Sequence, residues 1–275
     1  MDQSGLAIPA APVATQPNLR KRTTSVTPAL MQQVLVRMPA SANQPNGFTE
    51  PPLFLATVAN DLALVKLLLA AKADPNQRSS FNPFFPLPGS PTNPPPAAGN
   101  LPLHWAAWTN ALEIGRLLLD HGAEVDAATV IGATPLHYAV DQGHRAFAEL
   151  LVSRKAQVNF VPARLAQRPG MTMPMMVPFR TALHVAVGRG RVALVPWLLD
   201  QGADTELADG TGVSPRDLAA RYFPGQPSFG LGPPRHGTPP GFIRPWILSP
   251  LVPDADRAAI QNLLREHWRK AVDLK

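Results

Sequence analysis

The sequence predicts an all-α solenoid, with short helix pairs stacked side by side and joined by hairpins. Three observations point there. First, one slot recurs: "LPLH" ends at His104, "TPLH" at His137, "TALH" at His184, "SPRD" at Asp217, and "PPLF" at Phe54. His104 to His137 and His184 to Asp217 are each 33 residues; His137 to His184 is 47 and Phe54 to His104 is 50, so the unit is 33 with excesses of 14 and 17. Recurrence at such a period is the mark of a repeat architecture. Second, "LALVKLLLAAKAD", "LEIGRLLLDHGAE", "RAFAELLVSRKAQ" and "VALVPWLLDQGAD" align without gaps. Each places apolar residues at i, i+3, i+4 and i+5, as Ile114, Leu117, Leu118 and Leu119 do, which is one face of an amphipathic helix. Third, several units open on Thr-Pro or Ser-Pro, an N-cap followed by proline at the first helical position.

In chain order, residues 1–26 read as a disordered tail. Within it Arg20, Lys21 and Arg22 precede Thr23, Thr24 and Ser25, a spacing that suits a basophilic kinase; Thr27-Pro28 suits a proline-directed one. Phosphorylation there would add about −2 of charge. Residues 27–48 read as a short amphipathic helix and linker. Thr27 caps it, and Leu30, Met31, Val34, Leu35 and Met38 share a face. That helix either caps the first repeat or binds elsewhere. Residues 49–222 hold four full repeats and a divergent fifth that begins at Ser214. Pro196 falls inside a helical run and predicts a kink, because it removes a backbone donor. Residues 223–252 read as a Pro-rich linker. In residues 253–275, Ile260, Leu263 and Leu264 restore the apolar spacing of a second helix, displaced to the end as a cap.

The two excesses fall near 77–97 and 161–178, both in hairpins between repeats. Loops lengthen there at small entropic cost and leave the helix stack intact. Proline clusters in these segments, and 33 prolines against an average near 5% require irregular stretches between ordered ones. The second insertion contains "MTMPMMVPF". Its Met173, Met175, Met176 and Phe179 are read in two ways: a loop folded back on the helices, or an apolar contact surface able to re-pack against a partner.

This pattern resembles the ankyrin repeat. The likeness runs from about residue 50 to 222 and rests on Thr134, Pro135, Leu136 and His137, on Gly143-His144, on Gly122-Ala123 and Gly202-Ala203, and on the period. Phe54 and Asp217 depart from the histidine of the motif, as terminal repeats do. The resemblance implies that His104, His137 and His184 hydrogen-bond the backbone of the neighbouring hairpin. It implies that His144 belongs to the turn between helices. It also implies a concave binding face at the ends of the first helices, formed by Trp108 and Thr109, Asp141 and Gln142, Gly188 and Arg189, and Arg221 and Tyr222. Variable finger positions would be Val130, Ile131, Ala133, Arg180, Thr211 and Val213. Trp, Tyr and Arg are the types that dominate interfaces. For Trp108 and Tyr222 the alternative is packing against the inserted loops.

Composition narrows the rest. The chain has no cysteine, so it offers no thiolate metal site and no thiol nucleophile. No apolar run reaches the roughly 18 residues of a membrane span, and the N-terminus lacks the pattern of a secretory signal. A cytoplasmic or nuclear location is the expectation. The ladder of histidines is not expected to hold a metal: adjacent helix axes lie roughly 8–10 Å apart, whereas two nitrogens on one zinc each sit about 2.0–2.1 Å from it. No Gly-rich phosphate loop, "GxSxG" or "HExxH" occurs. The expected role is a non-catalytic adaptor that binds one or more proteins, without cofactor, metal or small-molecule ligand. Two alternatives remain. The net charge of +6 would serve a nucleic-acid or chromatin binder, although Arg257, Arg265, Arg269 and Lys270 lie along one helix rather than a groove. The run "PLPGSPTNPPP" could be read by polyproline-binding modules, making the chain a scaffold.

Overall fold

The computed structural model describes residues 42–43, 50–79, 99–129, 132–161, 180–209, 212–220 and 252–273. Among them it is helical, without strands. First helices are α1 (Pro52–Val58), α3 (Pro102–Thr109), α5 (Pro135–Gln142), α7 (Ala182–Gly188) and α9 (Pro215–Ala220); second helices are α2 (Leu62–Ala70), α4 (Leu112–Asp120), α6 (Arg145–Ser153) and α8 (Leu194–Asp200). The first helices pack on one another in chain order, each also on its own second helix, and α2, α4 and α6 form a second row. Helices of six to nine residues are too short to persist alone. They persist here because a continuous core runs through the stack, from Leu53 and Leu68 through Leu118, Leu136 and Leu151 to Leu183 and Leu198.

The final helix, α10 (Asp254–Asp273), packs on α8 and α9. Ile260 and Leu264 are buried in the core, and Gln261 donates from Nε2 to the Ala219 carbonyl at 2.7 Å. Val252, just ahead of it, is buried against Gly190. The helix thus covers the apolar edge that α8 and α9 would leave open.

At Pro196, where the sequence predicts a kink, the structure shows a late helix start. The equivalent helices start at Leu62, Leu112 and Arg145, whose counterpart is Val192, yet α8 starts two residues later at Leu194. Pro196 therefore occupies the third helical position, where a backbone N–H has no intrahelical acceptor to lose. The chain enters through a tight turn in which Leu194 N–H and Val195 N–H both donate to the Arg191 carbonyl, at 2.9 and 3.3 Å.

A stitch between hairpins recurs along one edge. Asn76 donates from Nδ2 to the Gly122 carbonyl (2.9 Å) and accepts from Glu124 N–H (2.9 Å). Asn159 does the same with Gly202 and Asp204, both at 2.8 Å, and Asp126 accepts from Gln157 N–H at 3.1 Å. Asn43 makes the equivalent pair with the Lys72 carbonyl (3.2 Å) and Asp74 N–H (2.7 Å). It lies 33 residues before Asn76, so the repeat register extends upstream of α1. Ala42 beside it is buried in the core. Residues 27–41, read as an amphipathic helix, lie outside the described residues, as do the tail, most of both insertions and most of the Pro-rich linker.

Candidate protein-interaction face

Four of the five described first helices, α3, α5, α7 and α9, are fastened at their starts by side chains. Thr134 N–H donates to His137 Nδ1 at 3.2 Å, and Thr181 N–H to His184 Nδ1 at 3.2 Å. Leu101 N–H donates to His104 Nδ1 at 3.0 Å, although leucine has no capping oxygen. With Nδ1 accepting, Nε2 carries the hydrogen and donates to the next hairpin: His104 to the Ala127 carbonyl (2.8 Å), His137 to Arg180 (2.6 Å), His184 to Val213 (2.9 Å). One neutral ring satisfies a helix start and a loop carbonyl. Burial pushes His104 down to about 3 and His137 down to about 4, and lowers His184; the accepting carbonyls oppose this only in part. Asp217 performs only the local half. It accepts from Ser214 N–H at 3.5 Å, while Ser214 Oγ accepts from Asp217 N–H at 3.1 Å. A carboxylate has no N–H to reach onward. Phe54 packs edge-to-face on Trp105, centroids 5.8 Å apart.

At the other end of these helices lie the residues proposed to meet a partner. Gly143 caps α5 at φ 83°, a left-handed conformation that glycine adopts without strain. Asp141 is 2% exposed, and two arginines 48 and 50 residues away converge on it. Arg189 Nε pairs with its carboxylate, and Arg191 Nε donates to its carbonyl at 2.9 Å. Gln142 Nε2 donates to the same carboxylate at 2.9 Å. Arg191 stands in the slot that His144 fills one repeat earlier. His144 Nε2 donates to the Trp108 carbonyl at 3.1 Å, and Trp108 is the counterpart of Asp141. Burial lowers the His144 imidazole, and the Arg191 cation adds to this.

Placement of the sequence candidates is therefore uneven. Thr109 is exposed, its Oγ1 donating to the Trp105 carbonyl at 3.0 Å; Gln142, Arg189 and Arg180 are half-buried. Trp108 is only 8% exposed and stands edge-on to Tyr138, centroids 5.8 Å apart. It packs on the next first helix instead of presenting a free ring. Asp141, Gly188 and Ala133 are buried. Arg180 reaches the buried Asp209 at 3.5 Å, and Val213 offers its carbonyl to His184. Arg221, Tyr222, Val130, Ile131, Thr211, Met173, Met175, Met176 and Phe179 lie outside the described residues. Arg191 and Asp209 escaped the sequence reading. Repeat register could have flagged Arg191, since it aligns with His144.

Among the described residues, no group of three or more His, Asp or Glu side chains could hold a metal ion, and no helix is long and apolar enough to cross a membrane.

A family profile described as ankyrin repeats in three copies matches residues 25–129 and 53–161, and a single-repeat profile matches 179–210. The first match begins ahead of α1, in line with the stitch at Asn43. The chain is 49% identical over 63 residues to the ankyrin repeat and KH domain-containing protein mask of Drosophila melanogaster, covering 22% of this chain and 2% of that protein. It is 35% identical over 106 residues to the B-cell lymphoma 3 protein homolog of Mus musculus, covering 38% of this chain and 20% of that one. It is 30% identical over 124 residues to a putative palmitoyltransferase of Danio rerio, covering 45% of this chain and 17% of that one. The chain thus spans a fifth or less of these relatives.

Proposed function

The chain belongs to the ankyrin-repeat family, and from that premise we propose that it is a non-catalytic adaptor or regulator, binding a protein partner through the first-helix face and the inserted fingers. Ankyrin repeats generally mediate protein–protein interaction. The supporting observation is the cluster on Asp141. A buried carboxylate holds Gln142 and Arg189 at the rim of the face, and side chains fixed in place before a partner arrives lose less entropy on binding. Thr109 lies at the same end of the neighbouring first helix. Trp108 supports this face from beneath. The inserted loops, with Met173, Met175, Met176 and Phe179, add the adaptable part of the surface in this reading.

The experiment is affinity capture from cell lysate with the full chain and with Thr109→Arg combined with Gln142→Arg, both checked for unchanged helical circular dichroism. Neither side chain is in the core, so the variant should fold. The proposal expects a defined set of proteins to drop out with the variant. An unchanged set would remove this face as the binding surface. A chain lacking residues 161–178 then tells whether the Met-rich finger recognises those proteins.

A further inference from the structure

The far end of the stack carries a second feature, separate from the first-helix face. Between α9 and α10 runs a groove of about 420 Å³. The buried Ala219 and Leu264 line it, together with Gln261, Trp268, Arg216 and Arg265. Trp268 is 45% exposed; Val161 is the other large apolar side chain among the described residues that stands open to solvent. The indole is nevertheless held. Arg216 sits over its ring at 5.7 Å to the centroid, and Glu206 Oε1 grips Arg216 at 2.8 Å. Glu206 occupies the slot of Asn159, one repeat later, and pairs with Arg216 where Asn159 stitches to the next hairpin. Its backbone N–H is fixed by Asp204 Oδ1 at 2.8 Å. A chain of contacts from Glu206 through Arg216 to Trp268 thus sets an aromatic ring beside an apolar lining. Arg265 is exposed on the same helix face, one turn from Trp268.

We propose that this groove docks a short acidic peptide segment of a partner protein, with an apolar side chain between Trp268 and Leu264 and a carboxylate on Arg265. Charge decides the occupant. The segments of this chain outside the described residues contain one of its 19 carboxylates, Asp2. The linker 221–251, which joins the two walls of the groove, carries Arg221, Arg235 and Arg244 and no Asp or Glu. Its formal charge has the same sign as that of Arg265 and Arg216. No segment of this sequence outside the described residues supplies an acidic run, and the proposed ligand is assigned to another protein. A nucleic acid fits less well, because phosphate tracking needs a run of cations and the groove is lined in part by alanine and leucine.

The test is fluorescence anisotropy with the full chain and a fluorescein-labelled peptide Glu-Asp-Phe-Leu-Asp-Glu, against a counterpart with lysine at every acidic position. Saturable binding of the acidic peptide alone is expected, weakening as salt is added. Arg265→Glu and, separately, Trp268→Ala should each weaken it at least about tenfold. Arg265 is exposed, so its replacement leaves the core untouched even if Trp268→Ala disturbs α10. The Thr109→Arg, Gln142→Arg variant should bind the peptide normally, which keeps this site distinct from the first-helix face. Equal binding of the lysine peptide, an Arg265→Glu chain that binds as well as the parent, no saturation at all, or displacement of the peptide by an oligo(dT) strand would each overturn the proposal.

Discussion

Acidification should weaken the stack through its buried histidines, by an amount the geometry sets. His104 and His137 fold as neutral rings, with Nδ1 accepting and Nε2 donating, so a proton on Nδ1 breaks the contact with the helix start. Burial holds them down to about 3 and about 4. Their surroundings do not reverse this: Arg78 and His137 oppose a charge on His104, and His184 opposes one on His137. In the unfolded chain both return to about 6.5. The folded values are depressed, so this stability is fully present above pH 6.5 and is lost as pH falls toward the folded values. Each ring contributes about 1.4 kcal/mol per pH unit across that window. Because the unfolded rings are only half protonated at pH 6.5, two rings cost about 3 kcal/mol between pH 6.5 and 5, a large share of the roughly 5–15 kcal/mol of a typical domain. Carboxylates titrate mainly below that range, and the lowered His184 and His144 add to the loss in the same direction. The assay is urea unfolding followed by circular dichroism at several pH values from 7.5 to 5, with the His137→Gln chain beside the parent. The parent should lose stability steeply below pH 6.5 and the variant by visibly less. A parent whose stability is flat from pH 7 to 5 would refute the neutral, doubly bonded ladder.

Three further outcomes follow from packing and backbone. A Cβ added at Gly115 would stand 2.5 Å from Phe147 Cζ, a fully buried ring; Gly115→Ala should lower stability by about 1–2 kcal/mol despite alanine's better helix propensity, and Phe147→Leu in the same chain should recover part of that loss in thermal melts. Lys72 and Lys155 hold φ 60° and 68° where the equivalent residues are Gly122 and Gly202. Lys72→Gly and Lys155→Gly should each raise stability by about 0.5–1 kcal/mol, since the strain relieved exceeds glycine's entropic cost, and a lower urea midpoint would contradict this. Pro196→Ala should change the unfolding free energy by less than about 0.5 kcal/mol, not the roughly 3 kcal/mol of a proline in mid-helix; a large rise would mean that the helix begins earlier than Leu194.

Legibility in the sequence followed the range of the interaction. Helix pairing, period and the slot of His104, His137 and His184 were readable because each unit repeats the same local chemistry: a cap, a proline, an apolar stripe, a Gly-Ala turn. The cap made by Asp217 was within reach for the same reason. The stitch at Asn43 obeyed the 33-residue register too, but a single asparagine gives little signal apart from the hairpin it holds.

What the sequence by itself determined is the architecture and the family, since these rest on contacts within a unit or between identical neighbours. What only the tertiary structure decided is the fate of individual side chains. Asp141 and Trp108 occupy slots that the sequence reading assigns to a partner, yet both are taken up internally. Arg189 and Arg191 close on Asp141 from 48 and 50 residues away, across an insertion whose length hides the pairing. Trp108 is drawn onto Tyr138 because the next first helix presents an aromatic edge there. Pro196 is tolerated because a turn at Arg191 delays the helix, an adjustment that periodicity cannot register. A repeat specifies where a side chain starts; its neighbours in the stack settle whether it faces a partner or the core.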